Sequence, residues 1–269
     1  MKVDGHVHLW DSRAIPGELP YPLPVDVASG DDLLRDMAAN NIDYAVLVQP
    51  TPHGGDHSLL VSALERYPDR FVGIGLLESG IRDSDAQVKH ICKVADMGLS
   101  GIRVHPIDKQ SVDIGRIARE AHRRELLLEL HVDESTWETV FRALDAAPDT
   151  LIVVDHFGRP RDPMSSSARE FIQLLSERAN VAVKVAAIDL IWGATYPYQN
   201  FRTWIRFAMD TLGPERLFWG SNFPWSRGEQ YSASLREIEA EWGLNNSELD
   251  ALFGGTASRI FGFDYRSDK

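Results

Sequence analysis

Residues 126–156 read LLLELHVDESTWETVFRALDAAPDTLIVVDH. The run Leu126–His131 is short and almost wholly apolar, and Leu151–Asp155 repeats that character. Between them Ser135–Ala146 carries a helical pattern, and Ser135 is followed three residues on by Glu138, the arrangement of a capping box. Strand, helix and strand in this order predict a βαβ unit. Its first strand ends on His131, and its second is followed directly by His156.

The alternation continues in both directions. Strand-like runs at Lys2–His8, Tyr44–Val48, Phe71–Leu77, Gly101–Val104, Val181–Val185 and Leu217–Trp219 bring the total to eight. Candidate helices at Asp31–Asn40, Ser58–Tyr67, Asp85–Met97, Ile114–Arg123, Ala168–Arg178 and Phe201–Leu212 lie between them. Ser29, or Asp31 after Gly30, can cap the first, and Gly98 suits a left-handed C-cap after Met97. Nearly continuous apolar strands imply parallel strands covered on both sides. The whole pattern predicts an α/β chain folded as a single-domain (β/α)8 TIM barrel over residues 1–269, with its chemistry at the C-terminal ends of the strands. Two long connections, Leu9–Ser29 with Pro16, Pro20, Pro22 and Pro24, and Ala186–Asn200 with Trp192, Tyr196 and Tyr198, are expected to lie over that face and shape a pocket. Trp10 and Trp225 are further candidates for its lining, although packing is the commoner role of large aromatics near barrel loops.

Composition narrows the function classes. The 269 residues are 43% hydrophobic and carry 28 basic against 40 acidic side chains, a formal net charge of −12. That balance argues against nucleic acid and anionic membrane as partners. It leaves room for an anionic small molecule, because a few clustered arginines can override the net field. Cys92 is the single cysteine, which rules out an intrachain disulfide and a cysteine-based zinc site. The N-terminus resembles no targeting peptide, and no apolar run reaches membrane-spanning length, so a cytoplasmic location is expected. A homo-oligomer stays open.

The strand ends hold the chemistry. In Asp4-Gly5-His6-Val7-His8, residues two apart share one face of a strand, so Asp4, His6 and His8 are expected to project together. Two imidazoles at this spacing can share a divalent cation, although His-x-His alone proves little. His131 and His156 add two more strand-end imidazoles, and Asn222 follows the eighth strand in Trp219-Gly220-Ser221-Asn222-Phe223-Pro224. Four of the nine histidines fall at these positions, whereas His90 and His122 lie on helices. Convergence in one cavity explains this better than chance.

Asp4-Gly5-His6-Val7-His8, Asp155-His156-Phe157-Gly158-Arg159-Pro160 and Trp219–Pro224 resemble, in order, signatures of the amidohydrolase superfamily. Val48–Gly54 and Phe253–Gly262 fit as well, so the resemblance spans essentially the whole chain. Within the superfamily it points to the branch of 2-pyrone-4,6-dicarboxylate lactonase and the sugar-acid lactonases. The resemblance implies that His6, His8 and His156 surround the reacting carbonyl and that Arg103 and Arg159 bind substrate carboxylate or hydroxyl groups. A guanidinium suits that role through its planar fork, although a structural ion pair is the plain alternative. Lys184, on the otherwise apolar seventh strand, is a weaker substrate-binding candidate and needs a partner, either substrate or a structural carboxylate.

One position departs from the family. Where an aspartate usually takes the proton of the attacking water, this chain has Asn222, and an amide cannot serve as a carboxylate base. Asn222 is a natural water-orienting residue, an engineered substitution or a sign of lost hydrolysis, and the first reading is preferred with His156 as proton acceptor. Metal use is likewise open. His6, His8 and His131 could hold one divalent ion, zinc or manganese, and lower the pKa of its water to about 7. His131 counts as a substrate-binding residue in the metal-free alternative, which stands almost level.

The expected activity is hydrolysis of a small carboxylated or polyhydroxylated lactone by activated water, with His156, Asn222, His6 and His8 catalytic. The rival readings are metal-dependent decarboxylation of an unsaturated or aromatic acid and a barrel that binds a ligand without turning it over.

Overall fold

The computed structural model describes residues 1–14, 23–78, 80–106, 112–188 and 199–263. Eight strands lie where the apolar runs place them: β1 (Val3–Val7), β2 (Tyr44–Val48), β3 (Phe71–Leu76), β4 (Gly101–Val104), β5 (Leu127–Leu130), β6 (Ile152–Val154), β7 (Val181–Ala186) and β8 (Leu217–Gly220). They pair in sequence order, every ladder parallel. The sheet closes on itself just past the last ladder, where His8 N–H donates to the Phe223 carbonyl at 2.8 Å and Asn222 N–H to the His6 carbonyl at 2.9 Å. A (β/α)8 barrel results.

Helices cover the outside: α1 (Gly30–Ala39), α2 (Ser58–Arg66), α3 (Ser84–Asp96), α4 (Ile114–Arg123), α5 (Glu138–Ala146), α6 (Ser166–Ser176) and α7 (Gln199–Leu212). Three more follow β8, namely α8 (Glu229–Glu241), α9 (Asn246–Asp250) and α10 (Thr256–Phe261), beyond the last helix that periodicity suggests. Ser29 caps α1 in a full capping box with Asp32, and Gly98 follows α3 at φ 74°. Ser135 caps nothing. The Asp133 carboxylate accepts from its hydroxyl at 2.6 Å and from its N–H at 2.9 Å, so the chain makes a turn first and α5 starts only at Glu138.

The two faces of the strands separate cleanly. Ile102, Val104, Leu128, Leu130, Val154, Val183 and Val185 pack outward with the helices. Val3, Val46, Val48, Val72, Ile74, Leu127, Val153, Ala182 and Phe218 form a second, interior cluster, and Ala257, Phe261 and Phe263 join it. Each such large side chain contributes about 1.5–3 kcal/mol of burial. This apolar floor supports a polar layer at the C-terminal strand ends.

β1 breaks the simple alternation. Val3 pairs with Tyr44 and Asp4 with Ala45, but Val7 pairs with Leu47, so one extra residue is accommodated between Asp4 and Val7. A bulge of this kind re-aims side chains. Asp4 therefore does not join His6 and His8: its carboxylate accepts from Ser221 N–H at 2.9 Å and from the Tyr231 hydroxyl of α8 at 2.7 Å. Gly5 fits at the bulge because a Cβ there would lie 2.4 Å from Phe218 Cδ2 and 2.7 Å from the Trp219 carbonyl oxygen.

Of the long first connection, Trp10 and Ala28 form a short antiparallel bridge and Trp10 Nε1 donates to the Val25 carbonyl at 2.9 Å. Trp10 is fully buried and serves packing. Pro16, Pro20, Pro22, Trp192, Tyr196 and Tyr198 lie outside the described residues. No helix among the described residues is long and apolar enough to cross a membrane.

Candidate active site

The inward-facing residues at the C-terminal strand ends form a buried polar layer. Arg103 comes from β4, Glu129 from β5, Asp155 from the end of β6, Lys184 from β7 and His6 from β1, and all five are buried. Period-two geometry explains the set: Glu129 lies two residues after the interior Leu127, Asp155 two after Val153 and Lys184 two after Ala182.

Ion pairs knit this layer together. Arg103 donates through Nε to Asp155 Oδ2 at 2.7 Å and lies 3.3 Å from Glu129 Oε1. Lys184 Nζ donates to Glu129 Oε2 at 2.5 Å, lies 3.5 Å from Asp155 Oδ1 and contacts His6 Nδ1 at 3.0 Å. Burial and the neighbouring Asp155 push the Glu129 carboxyl up to about 7. Burial acts on Asp155 in the same sense, but Arg103 and Lys184 outweigh it and hold that carboxyl well below its ordinary value.

Besides His6, the imidazoles of His8, His131 and His156 adjoin the layer, and the His105 ring stacks on His131 at 4.1 Å. The His6 ring lies 4.7 Å from those of both His8 and His156, each pair edge to face, and His131 lies 5.6 Å from His156. Two tautomers follow from their partners. His8 Nδ1 lies 2.8 Å from the Val48 carbonyl and His156 Nδ1 lies 3.1 Å from the Ala186 carbonyl, so both donate from Nδ1 and keep a lone pair on Nε2. Burial pushes His8 down to about 3 and His131 down to about 4, and pushes His6 and His156 well below the usual imidazole value, with Asp155 acting in the opposite sense on His156. All four rings are neutral near pH 7.

The backbone positions His156, Arg159 and Asn222. Residues 156–159 all take left-handed conformations, at φ 51°, 56°, 72° and 49°, and Asn222 does so at φ 60°. For residues other than glycine this costs about 1–3 kcal/mol each, strain of the kind that gathers at functional sites. The reversal after β6 leaves Arg159 half-buried with Nη1 2.8 Å from His131 Nε2. Asn222 is buried, and among the described residues its side-chain amide makes no hydrogen bond.

The expected substrate-binding residues therefore divide. Arg103 and Lys184 are committed to internal carboxylates, the structural alternative weighed for each, whereas Arg159 has no carboxylate within ion-pairing distance among the described residues. Counted formally, three cations (Arg103, Arg159 and Lys184) face two carboxylates (Glu129 and Asp155). The excess charge is positive although the chain as a whole is acidic. Glu129 and Asp155 are site residues that sequence reasoning missed, although a lone acid in a leucine run two residues before His131 is a readable signal.

The metal ligands expected from sequence do not converge. His131 Nδ1 is 2.7 Å from Arg103 Nη2 and its Nε2 faces Arg159, so both ring nitrogens meet guanidinium groups instead of a point shared with His6 and His8. Among the described residues, the ligand atoms of His6, Asp155 and His156 do lie within 4.8 Å of one another. Lys184 already occupies that neighbourhood, however, and a divalent ion about 4 Å from its ammonium would be repelled by about 8 kcal/mol at an effective dielectric of about 20. The two carboxylates that could offset this are already balanced by Arg103 and Lys184. As arranged, these residues do not fit a metal ion.

A parallel eight-stranded barrel with histidines and ion pairs at its C-terminal strand ends defines a class of barrel enzyme. Within that class the profile of the amidohydrolase family matches residues 3–263, and the chain belongs to that family. It is 28% identical over 251 residues to a 2-pyrone-4,6-dicarboxylate hydrolase of Comamonas testosteroni, covering 82% of this chain and 76% of the relative. It is 25% identical over 237 residues to a 4-sulfomuconolactone hydrolase of Rhizobium radiobacter, covering 83% and 75%. Among solved structures, a 2-pyrone-4,6-dicarboxylic acid hydrolase described as putative, from Pseudomonas putida, superposes with a TM-score of 0.78 at 26% identity over 98% of both chains. A zinc-bound amidohydrolase from Burkholderia multivorans shares the fold, with a TM-score of 0.76 at 19% identity over 97% and 99% of the two chains.

Proposed function

We propose that the protein is a hydrolase that opens a small, anionic lactone by attack of activated water, without a metal ion, and that residues 1–269 act as one barrel domain. The observation that carries this reading is the half-buried Arg159, free of carboxylate partners among the described residues, beside a ring of neutral strand-end histidines. An arginine placed this way suits a carboxylate or sulfonate. Two relatives named above act, by name, on a pyrone dicarboxylate and a sulfomuconolactone.

The proposed roles follow from the partners of each residue. Arg159, next to His131, holds the anionic group of the substrate. His6, whose buried Nε2 has no partner among the described residues, polarises the lactone carbonyl. The Asn222 amide orients the attacking water. His156 accepts its proton at Nε2, and the buried Asp155 carboxylate stabilises the imidazolium that forms. His8, with the same tautomer and its ring 4.7 Å from that of His6, serves as a second acceptor. Arg103 and Lys184 act from behind, holding Asp155 and Glu129 in place. Preorganised charge around the developing oxyanion supplies much of the acceleration. Attack on the acyl carbon, cleavage of the ring C–O bond and protonation of the leaving oxygen give a hydroxy acid, which releases a proton near pH 7.

The proposal includes a cytoplasmic location for the enzyme. A pH-indicator screen over carboxylated, sulfonated, sugar-acid and neutral lactones tests the function. Acid release confined to anionic lactones is expected. Carbon dioxide evolution from unsaturated acids, without acid release from any lactone, would replace this reading with decarboxylation.

A further inference from the structure

Lys184 is fully buried at the centre of the polar layer, 2.5 Å from Glu129 Oε2, 3.0 Å from His6 Nδ1 and 3.5 Å from Asp155 Oδ1. A carboxylate accepts from an ammonium and an ammonium only donates, so the contact with His6 has one consistent sense. Lys184 donates to His6 Nδ1, and the lone pair of that ring is used there. The ring proton of a neutral His6 must then sit on Nε2, the opposite assignment to His8 and His156, whose Nδ1 atoms donate to the Val48 and Ala186 carbonyls. A nitrogen that carries a proton cannot ligate a metal.

We infer that Lys184, held by Glu129 and Asp155, is a positioning residue that serves as the internal cation of this site: it fixes His6 as an Nε2–H donor and closes the His6–Asp155–His156 cluster to divalent ions. The ammonium thus takes the place a cation would occupy among these side chains, and His6 becomes a hydrogen-bond donor toward a bound carbonyl. Glu129 is the anchor of the device. Its second oxygen, Oε1, has no hydrogen bond and lies 3.3 Å from Arg103 Nε, so the acid touches both cations at once.

This inference concerns the electrostatics of the site and stands apart from the choice of substrate, so its readouts use none. Zinc is titrated into chelator-treated wild-type protein and into Lys184→Met, followed by dialysis and metal analysis. Outer partners of metal ligands shift affinity by about 10–100-fold, and loss of a like charge inside the cluster belongs at the upper end of that range. The expected result is no retained zinc in the wild type and stoichiometric zinc in Lys184→Met. Equal retention by both proteins overturns the inference, and so does failure of a folded Lys184→Met to take up zinc. A second measurement needs no variant: the nitrogen chemical shifts of His6 in isotopically labelled wild-type protein report its tautomer directly. Protonation on Nε2 supports the assignment, and protonation on Nδ1 defeats it.

Discussion

Replacing Arg159 with glutamine isolates the recognition of an anion from the chemistry. Arg159 is half-buried, and the one hydrogen-bond contact of its guanidinium among the described residues is with His131 Nε2, so the barrel loses little when its charge is removed. The left-handed backbone at φ 49° is already occupied by a residue with a Cβ, so glutamine adds no new backbone penalty there. What disappears is a charge-assisted hydrogen bond to the substrate, worth about 1.5–3 kcal/mol. That corresponds to a fall of about 10–150-fold in kcat/KM. The assay compares wild type and Arg159→Gln on a carboxylated lactone and on its methyl ester. The loss should appear in KM and with the free acid alone. Equal losses on both substrates, or no loss on the acid, would refute the assignment of Arg159 as the anion-binding residue.

Three further outcomes follow from the fold and its buried charges. Gly5→Ala forces a methyl group against Phe218 and the Trp219 carbonyl inside the barrel seam, and overpacking of this kind costs about 1–3 kcal/mol, visible as a drop of several degrees in Tm; an unchanged Tm would show that the seam relaxes freely. Tyr231→Phe leaves the buried Asp4 carboxyl without its α8 donor, a loss of about 1–3 kcal/mol in urea unfolding with little change in KM; a large KM effect would place Asp4 in the site after all. Stability should fall as pH drops from about 6.5 toward 4. His8 and His131, pushed down to about 3 and about 4 chiefly by burial, stay neutral in the folded chain while the unfolded chain takes up protons, at a cost of about 2 kcal/mol per histidine at pH 5. Glu129 and Asp4, pushed up to about 7 and about 6 by burial, act in the opposite sense and lose their contribution as pH rises through those values. With His6, His105 and His156 also depressed, the histidines outnumber them. A higher Tm at pH 5 than at pH 7.5 would reverse that balance.

The sequence carried the barrel clearly, and physical reasons explain where it misled. Parallel strands covered on both faces are uniformly apolar, so all eight stand out against the helices. That same uniformity hides the direction of each side chain. In β1 a one-residue bulge sends Asp4 to α8, which strict period-two reasoning misses. Glu129 interrupts the apolar run of β5 and Asp155 ends that of β6, and only the interior parity shared with Leu127 and Val153 reveals them as the floor of the site. His131 was legible as a strand-end histidine, but its company was not, because Arg103 and Arg159 come from the neighbouring strand and from the loop after β6. Ser135 matched a helix-cap pattern while Asp133, two residues earlier, offered its hydroxyl a nearer partner.

The most direct test of the account is the rate of acid release from a carboxylated lactone by chelator-treated protein, wild type against His156→Ala. The account predicts turnover by the wild type that survives chelation and is abolished in the variant. Wild-type turnover that depends on added metal, or a His156→Ala enzyme as fast as the wild type, would contradict it.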